Sequence, residues 1–279
     1  MDLAKVLDTV ASVKKTVDSI LKVLREIPRL EQNRIGNLAR IRSRLTKLDE
    51  AIKQLEDNAS LREALSEWAH QYEFEISDAE ESLRKQFGAK LETELEEHGL
   101  SLSGHYPELK TGFFTLELDF DKGRATIWYG PKQERIGESV LSAGELARRI
   151  ASTRQELGSR VREDEFMAKL HEAYCRAGGG DCKERVPIIK VLPELAYSLQ
   201  DLTFYQDPRR ENFKSYGRAD FSYDLFRIGT RGADVPFDKR LHLTVATRSQ
   251  TRKREDFLWV PDEEGGRGSY YALLHFKEL

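Results

Sequence analysis

The first regular pattern of apolar positions lies in residues 3–27. Apolar side chains recur there at intervals of three and four residues: Leu3, Val6, Val10, Val13, Val17, Ile20, Leu24 and Ile27. A seam that repeats about every 3.5 residues keeps facing one partner helix, so this pattern predicts a coiled-coil helix. The flanks are charged, and the narrow apolar stripe therefore needs a partner. We expect these residues to bind it: Val6, Val10, Val13, Val17, Ile20, Leu24 and Ile27.

A second stripe with the same spacing follows in residues 38–55, after Pro28 and Gly36. Proline removes a backbone donor and disfavours helix at the preceding residue, so we expect the first helix to end or kink near Pro28. The simplest packing is an antiparallel helical hairpin joined through residues 28–37. One long helix with a polar interruption is the alternative, because both stripes share one heptad frame.

A third helix is predicted to begin at Ser60, which forms a capping box with Glu63. Its apolar face continues to Leu95. Gly99 followed by Leu100 predicts a helix end of the Schellman type. Residues 1–98 are therefore interpreted as a helical coiled-coil arm.

The apolar period then changes to two. In residues 113–120 the side chains alternate between apolar and polar, which predicts a half-buried strand. Asp121, Lys122 and Gly123 form a turn signal, and residues 124–129 follow as the hairpin partner. Ser142 and Glu145 form another capping box, which opens a helix that ends at about residue 158. Residues 99–160 thus read as a β-hairpin plus helix module.

Three helical patterns and two alternating strands fill the remainder of the chain, at residues 163–176, 187–200, 216–228, 241–247 and 270–276. This order, with the stretches VPIIKVLPELAYSLQ, YGRADFSYDLFRI and RLHLTVAT, resembles the winged helix-turn-helix superfamily over residues 161–279. The connection between the second and third helices is longer than is usual in that superfamily. The resemblance implies that the third helix and the wing are the surfaces that read DNA. The predicted fold class is α+β, with a winged-helix-like domain after the arm and the module.

Composition bears on the binding partners and the cellular location of the protein. The chain has 279 residues, a formal net charge of −3 and two cysteines. This balance argues against a protein that coats nucleic acid generally, and so few cysteines predict no disulfide framework. No apolar run approaches the length of a membrane helix, so we expect a cytoplasmic protein without a membrane partner.

Charge is unevenly distributed, and residues 205–254 carry 12 basic against 6 acidic residues. If the winged helix is used on DNA, we expect eight cations to contact it: Arg209, Arg210, Lys214, Arg218, Arg248, Arg252, Lys253 and Arg254. Such contacts give salt-dependent, largely non-specific affinity. Asp220 and Asp224 are expected on the exposed side of the third helix, where they would repel phosphate. Binding of a protein instead of DNA stays open.

Two groups of residues are candidates for metal binding. His171, Cys175 and Cys182 lie around a Gly-rich loop, but structural zinc needs four ligands and usually one close cysteine pair, so we expect no metal there. Glu117 and Asp119 share one face of the predicted hairpin, as the Mg²⁺ ligands of a nuclease would. A polar strand face is more often simply solvated.

No Ser-His-Asp, HExxH, GxGxxG or phosphate-loop pattern is present, so we expect no catalytic residues and no cofactor. The chain reads as a non-enzymatic accessory protein that forms homo-oligomers or binds a coiled-coil partner, and that contacts double-stranded DNA or a protein. Its architecture resembles accessory subunits of bacterial chromosome-maintenance or phage-defence ATPase complexes. A dimeric sequence-specific transcriptional regulator and a metal-dependent nuclease are the alternatives.

Overall fold

A computed structural model describes residues 3–55, 59–180, 182, 184–231, 238–265 and 267–278. The chain divides into two compact units, Met1–Lys90 and Leu91–Leu279, which are taken separately below. The structure is α+β. The predicted boundary at residue 160 does not coincide with a division, because the module and the C-terminal segment belong to the same unit.

The first unit is built on a helical hairpin of α1 (Leu3–Glu31) and α2 (Arg34–Lys53). Glu26 pairs with Arg44, and the side-chain amide of Asn37 donates to the carbonyl of Leu30 at 3.0 Å. These cross-helix pairs confirm the antiparallel hairpin and exclude one long helix. α1 continues through Pro28 and ends at Glu31, slightly later than predicted.

The core of this unit is shared by α1, α2 and α3 (Ala59–Glu96). Ile41, Leu48 and Ile76 are fully buried in it. α3 begins at Ala59, so Ser60 lies in its first turn and is not the predicted cap. The buried members of the core are Ile20, Val23, Ile27, Leu38, Ile41, Leu45, Leu48, Ala51, Ile52, Leu55, Ala69 and Ile76.

The end of α3 falls in the second unit and has the predicted form. Gly99 has a φ of +68°, a left-handed conformation that glycine adopts without a Cβ clash. The backbone N–H of Leu100 donates to the carbonyl of Leu95 at 3.0 Å. This is the six-to-one bond of a Schellman motif, so the prediction is confirmed.

The second unit begins with a five-stranded antiparallel meander. Its strands are β1 (Ser103–His105), β2 (Glu108–Thr111), β3 (Phe114–Asp119), β4 (Arg124–Tyr129) and β5 (Glu134–Val140), paired in chain order. The β3–β4 hairpin is the predicted one, with Phe114 opposite Tyr129. α4 (Ala143–Glu156) follows, and Ser142 precedes it without making the predicted side-chain capping bond.

The rest of the unit alternates helices with a small second sheet. Its elements are α5 (Glu163–Ala177), β6 (Val186–Pro187), α6 (Ile188–Ser198), α7 (Leu202–Gln206), α8 (Arg218–Arg231), β7 (Lys239–Val245), β8 (Leu258–Pro261) and β9 (Gly268–Glu278). The sheet order is β6-β9-β7, and β8 also pairs with β9. Leu274 of β9 lies opposite Leu243 of β7 and Val186 of β6. The predicted helices and strands are all present, while α7, β6 and β8 are additional.

Candidate functional site

α8 is the helix that the winged-helix resemblance assigns to DNA reading, and it is covered on both sides. Phe221 and Leu225 are buried in the core with α5, α6 and β9. On another side of the helix, Tyr223 and Phe226 contact the ring of Phe113, with centroid distances of 5.4 and 5.1 Å. A recognition helix needs an exposed face to enter a groove, and the module occupies that face of α8.

The two carboxylates of α8 also differ from their expected placement. Asp224 is fully buried and accepts from the backbone N–H of Ser159 at 2.7 Å and from the hydroxyl of Tyr216 at 3.0 Å. Asp220 accepts from the N–H groups of Gly158 and Gly217, at 3.1 and 2.8 Å. Both carboxylates hold the 158–159 linker against α8. Asp224 is buried and Asp220 is half-buried, so neither is on a fully exposed side of the helix as predicted.

Burial raises the pKa of the Asp224 and Asp220 carboxyl groups above the ordinary aspartate value, and the backbone hydrogen bonds lower it in part. Gly158 permits the close approach of linker and helix. Its φ is +81°, and an added Cβ would stand 2.8 Å from Asp224 Oδ1 and 2.9 Å from Tyr223 Cδ1. The linker and α8 therefore fit each other only with glycine at this position.

Five of the eight predicted DNA contacts already have partners within the chain. Glu134 of β5 receives both Arg218 and Arg254, and Arg218 also donates to the carbonyl of Phe257 at 2.7 Å. The others are Arg209 with Asp207 at 2.9 Å, Lys214 with the carbonyl of Ser159 at 3.3 Å and Lys253 with Glu255 at 3.9 Å. Arg218 is mostly buried, so it braces β5 against α8 and is not available to phosphate.

Three of the predicted cations point into solvent. Arg210, Arg248 and Arg252 are exposed, and none has an ion pair with another residue that the structure describes. Arg248 and Arg252 lie in the connection between β7 and β8, which is the segment that the winged-helix resemblance assigns to the wing. The basic surface that remains for phosphate is therefore smaller than composition predicts.

The predicted partner surface of α1 is split in two. Ile20 and Ile27 are buried in the core of the hairpin, and Val17 and Leu24 pack against its edge. The remaining predicted residues lie nearer the start of the helix. Val10 and Val13 are exposed there, and Val6 is half-buried. The C-terminal half of the seam is thus used inside the chain.

An exposed apolar line of α1 joins two residues of the predicted seam, Leu3 and Val10, to two leucines outside it, Leu7 and Leu21. Leu3, Leu7 and Val10 are 72%, 61% and 60% exposed, and Leu21 continues their line. At about 3.6 residues per turn, this line lies about a third of a turn from the buried line of Ile20 and Ile27. We call Leu3, Leu7, Val10 and Leu21 the α1 stripe. Leu7 and Leu21 each follow a seam position of the heptad directly, at position e if Leu3 is position a. These two leucines are the feature of the sequence that could have indicated the α1 stripe.

An exposed group of apolar side chains lies between α6 and α8. Tyr197, Tyr205 and Phe213 are about half exposed, and Leu202 is 76% exposed. Phe204 connects them, with ring-centroid distances of 6.2 Å to Tyr197 and 5.6 Å to Phe213. We call these five residues the aromatic patch. Helical periodicity does not predict it, although dense aromatic residues in a long predicted connection are a usable signal.

His171, Cys175 and Cys182, for which the sequence predicts no metal, lie together in the structure. One potential ligand atom from each falls within 4.8 Å of the others. The two sulfurs form a disulfide, whereas the sequence predicts no disulfide framework. Burial and the nearby charge of Lys239 lower the pKa of His171, and Asp238 raises it in part.

Glu117 and Asp119 have lysine partners. Glu117 accepts from Lys132 Nζ at 2.9 Å and from the Trp128 indole at 3.1 Å, and Lys122 Nζ lies 2.7 Å from Asp119. The hydrogen bonds from these lysines lower the pKa of both carboxyl groups. Within the described ranges, His171 with the two cysteines is the only group of three or more possible metal ligands.

No family model, curated protein or solved structure matches this chain. None of the described helices is long and apolar enough to cross a membrane.

Proposed function

We propose that this protein is a non-enzymatic accessory subunit that assembles through α1 and contacts the phosphate backbone of DNA through its C-terminal unit. The α1 stripe carries the proposal. Four large apolar side chains on one line of an exposed helix are unfavourable in water, and burying each fully is worth about 1.5–3 kcal/mol. Service to a DNA-maintenance or phage-defence complex in the cytoplasm is the setting that this architecture favours.

The occupant that we propose for the α1 stripe is a second copy of α1. Glu26 faces Arg44, so α2 ends opposite about residue 17 of α1, and the preceding part of α1 extends beyond it. In a two-fold symmetric dimer, the extending part of α1 in one copy packs against the same part of α1 in the other copy, so the two apolar lines have equal length. Lys5 and Asp8 lie off the stripe and stay in water.

Assembly is tested by the molar mass of the full chain in solution, measured by light scattering across a concentration series. We expect a dimer or a higher oligomer for the native chain, and a monomer for Val10→Asp. Ser12→Asp introduces the same charge on the opposite side of α1 and should leave the mass unchanged. A native chain that is monomeric at high concentration, or a Val10→Asp chain of native mass, contradicts the proposal.

Support for a winged-helix-like C-terminal unit comes from the order of its elements. α5, β6, α6, α8, β7 and β9 follow one another in that order, with β9 between β6 and β7. Since α8 is covered, the proposed DNA contact uses Arg210, Arg248 and Arg252 on phosphates. It is therefore independent of sequence, which disfavours the alternative of a sequence-specific regulator.

DNA contact is tested by fluorescence anisotropy of the full chain with a labelled duplex, titrated across salt. We expect binding that weakens with salt, and a triple change of Arg210, Arg248 and Arg252 to Glu that removes about 0.9 from the log–log slope for each lost phosphate contact. The matched control changes three exposed cations of the first unit to Glu: Lys22, Arg40 and Lys47. Equal binding by the triple variant and the control contradicts DNA contact at these residues.

A partner protein is the second candidate, and the aromatic patch favours it. Protein-binding surfaces concentrate aromatic side chains, and isolated exposed apolar residues are far commoner than a group of four around a half-buried phenylalanine. If the native chain does not bind the duplex at low salt, this candidate replaces DNA contact.

A further inference from the structure

The last turns of α5 and the loop after it bring three metal-ligand side chains to one place. His171 and Cys175 are four residues apart on the helix, so they share one face. Gly179 and Gly180 have φ values of +75° and +92°, and this left-handed backbone turns the chain back toward α5. Cys182 then meets Cys175, and His171 Nε2 lies 3.9 Å from Cys175 Sγ.

We propose that reduction of the Cys175–Cys182 disulfide creates a zinc site formed by the two thiolates and His171. The disulfide takes two electrons and two protons from a dithiol, which becomes a cyclic disulfide. When Zn²⁺ binds, each thiol of the chain loses its proton to solvent and its sulfur donates to the metal. The disulfide and the metal use the same sulfur atoms, so the chain holds one or the other.

The donor set and the spacing suit zinc. Sulfur and imidazole ligands lie about 2.0–2.3 Å from Zn²⁺, so tetrahedral ligand atoms are separated by under 4 Å. The three side chains supply ligand atoms that already lie within 4.8 Å of one another. On reduction the two sulfurs move apart to the separation of tetrahedral ligands, and a small rotation brings the imidazole closer to them. Their spacing in sequence lacks the usual close cysteine pair, but helix geometry and the glycine turn replace it.

The fourth coordination position is open to water. His171, Cys175 and Cys182 are all half-buried, so solvent reaches the cluster from one side. Three protein ligands and one water are the coordination of zinc sites that exchange ligands. Lys239 Nζ lies 3.3 Å from His171 Nε2 and must turn away before the ring can bind a metal. Replacement of this lysine by methionine should therefore tighten binding.

The reduced zinc form and the oxidised disulfide form stabilise the same local structure. In a reducing compartment the cysteines stay as thiols, and the zinc form holds Cys182 against α5. Under oxidation, the disulfide holds Cys182 at the same place on α5. Loss of the metal on oxidation is then the observable difference between the two states.

The test uses the full chain and Co²⁺ as a spectroscopic substitute for Zn²⁺. The chain is reduced with dithiothreitol, freed of reductant without oxygen and titrated. We expect one Co²⁺ per chain, a thiolate-to-cobalt charge-transfer band in the near ultraviolet, and loss of that band when one equivalent of Zn²⁺ is added. The disulfide form should bind neither ion at this site.

Cys182→Ser and His171→Ala should each weaken Co²⁺ binding at least tenfold. His105→Ala changes an exposed histidine of β1 and is the matched control, which should bind as the native chain does. Far-ultraviolet circular dichroism of each variant shows that it has folded. A reduced native chain without the charge-transfer band, or a Cys182→Ser chain that retains it at native affinity, overturns the proposal. Tighter binding by Lys239→Met supports it.

Discussion

The carboxyl group of Asp224 lies in the protein interior between α8 and the linker that precedes α5. Ser159 and Tyr216 donate to it, and Arg227 Nη2 lies 3.0 Å from Oδ1. Removal from water nevertheless raises its pKa, because desolvation is the largest of the effects on it. A buried acid with a raised pKa makes the stability of the fold depend on pH in a direction opposite to that of a surface ion pair.

Asp224→Asn tests this direction. The folded chain holds the proton more tightly than the unfolded chain, whose aspartate pKa is about 3.9. The stabilisation from protonated Asp224 is therefore complete below about pH 3.9 and is lost as the pH rises through the raised value. We expect the free energy of unfolding of the native chain, relative to Asp224→Asn, to fall between pH 4 and neutrality. Urea denaturation at several pH values measures it.

Asp164→Asn is the control for Asp224. The hydrogen bond from Arg162 lowers the pKa of Asp164. The contribution of Asp164 to the free energy of unfolding should therefore be smaller than that of Asp224, and it should increase as the pH rises from the acid range. The prediction is contradicted if the free energy of unfolding of the native chain, relative to Asp224→Asn, also rises with pH. In that case the hydrogen bonds and Arg227 stabilise the Asp224 carboxylate by more than its removal from water destabilises it.

Helix α1 has two apolar faces with different consequences for stability. One face contributes to the hairpin core with α2 and α3, and the other forms the exposed α1 stripe. The heptad pattern predicts a helix with a partner, and this is correct for the half of the seam that α2 covers. The end of α2 determines which half of the α1 seam is covered, because only the part of α1 opposite α2 packs against it.

Leu48→Ala and Leu3→Ala separate the two faces with the same chemical change. Leu48 of α2 is fully buried, so its loss should lower the free energy of unfolding of the first unit by about 2–5 kcal/mol. Leu3→Ala should change it by under about 0.5 kcal/mol at low protein concentration. Chemical denaturation at two concentrations measures both. A large loss for Leu3→Ala in dilute solution would place Leu3 in an intramolecular contact.

At the scale of the molecule, the module and the C-terminal segment share α8. Phe113 and Tyr129 of the module cover aromatic residues of the segment, and the hydroxyl groups of Ser222 in α8 and Tyr129 are hydrogen-bonded at 3.2 Å. The ring centroids of Tyr129 and Trp259 are 5.6 Å apart. These contacts cross the predicted boundary at residue 160, so we do not expect either side to be stable alone.

A fragment of residues 161–279 tests this dependence against a fragment of residues 91–279. Removing the module uncovers Tyr223, Phe226 and Trp259, and it also removes the Ser159 N–H that bonds to Asp224. We expect the shorter fragment to melt at a lower temperature and to bind a hydrophobic dye strongly, as loosened tertiary packing does. Equal melting temperatures and equal dye fluorescence would show that residues 161–279 fold independently.

The sequence by itself determined seven of the eight α-helices and four of the nine strands that the structure describes, together with the helical hairpin and the end of α3 at Gly99. Those features depend on periodicity and on backbone preferences within a few residues. Five strands were missed: β1, β2, β6 and β8 have only two to four residues, and the exposed residues of β5 lack an apolar alternation. Only the tertiary structure decided which surfaces are available. Glu134 meets Arg218 and Arg254, and Cys182 returns to His171, because the packing of whole elements brings distant residues together. No local pattern contains that information, since burial and ion pairing belong to the assembled fold.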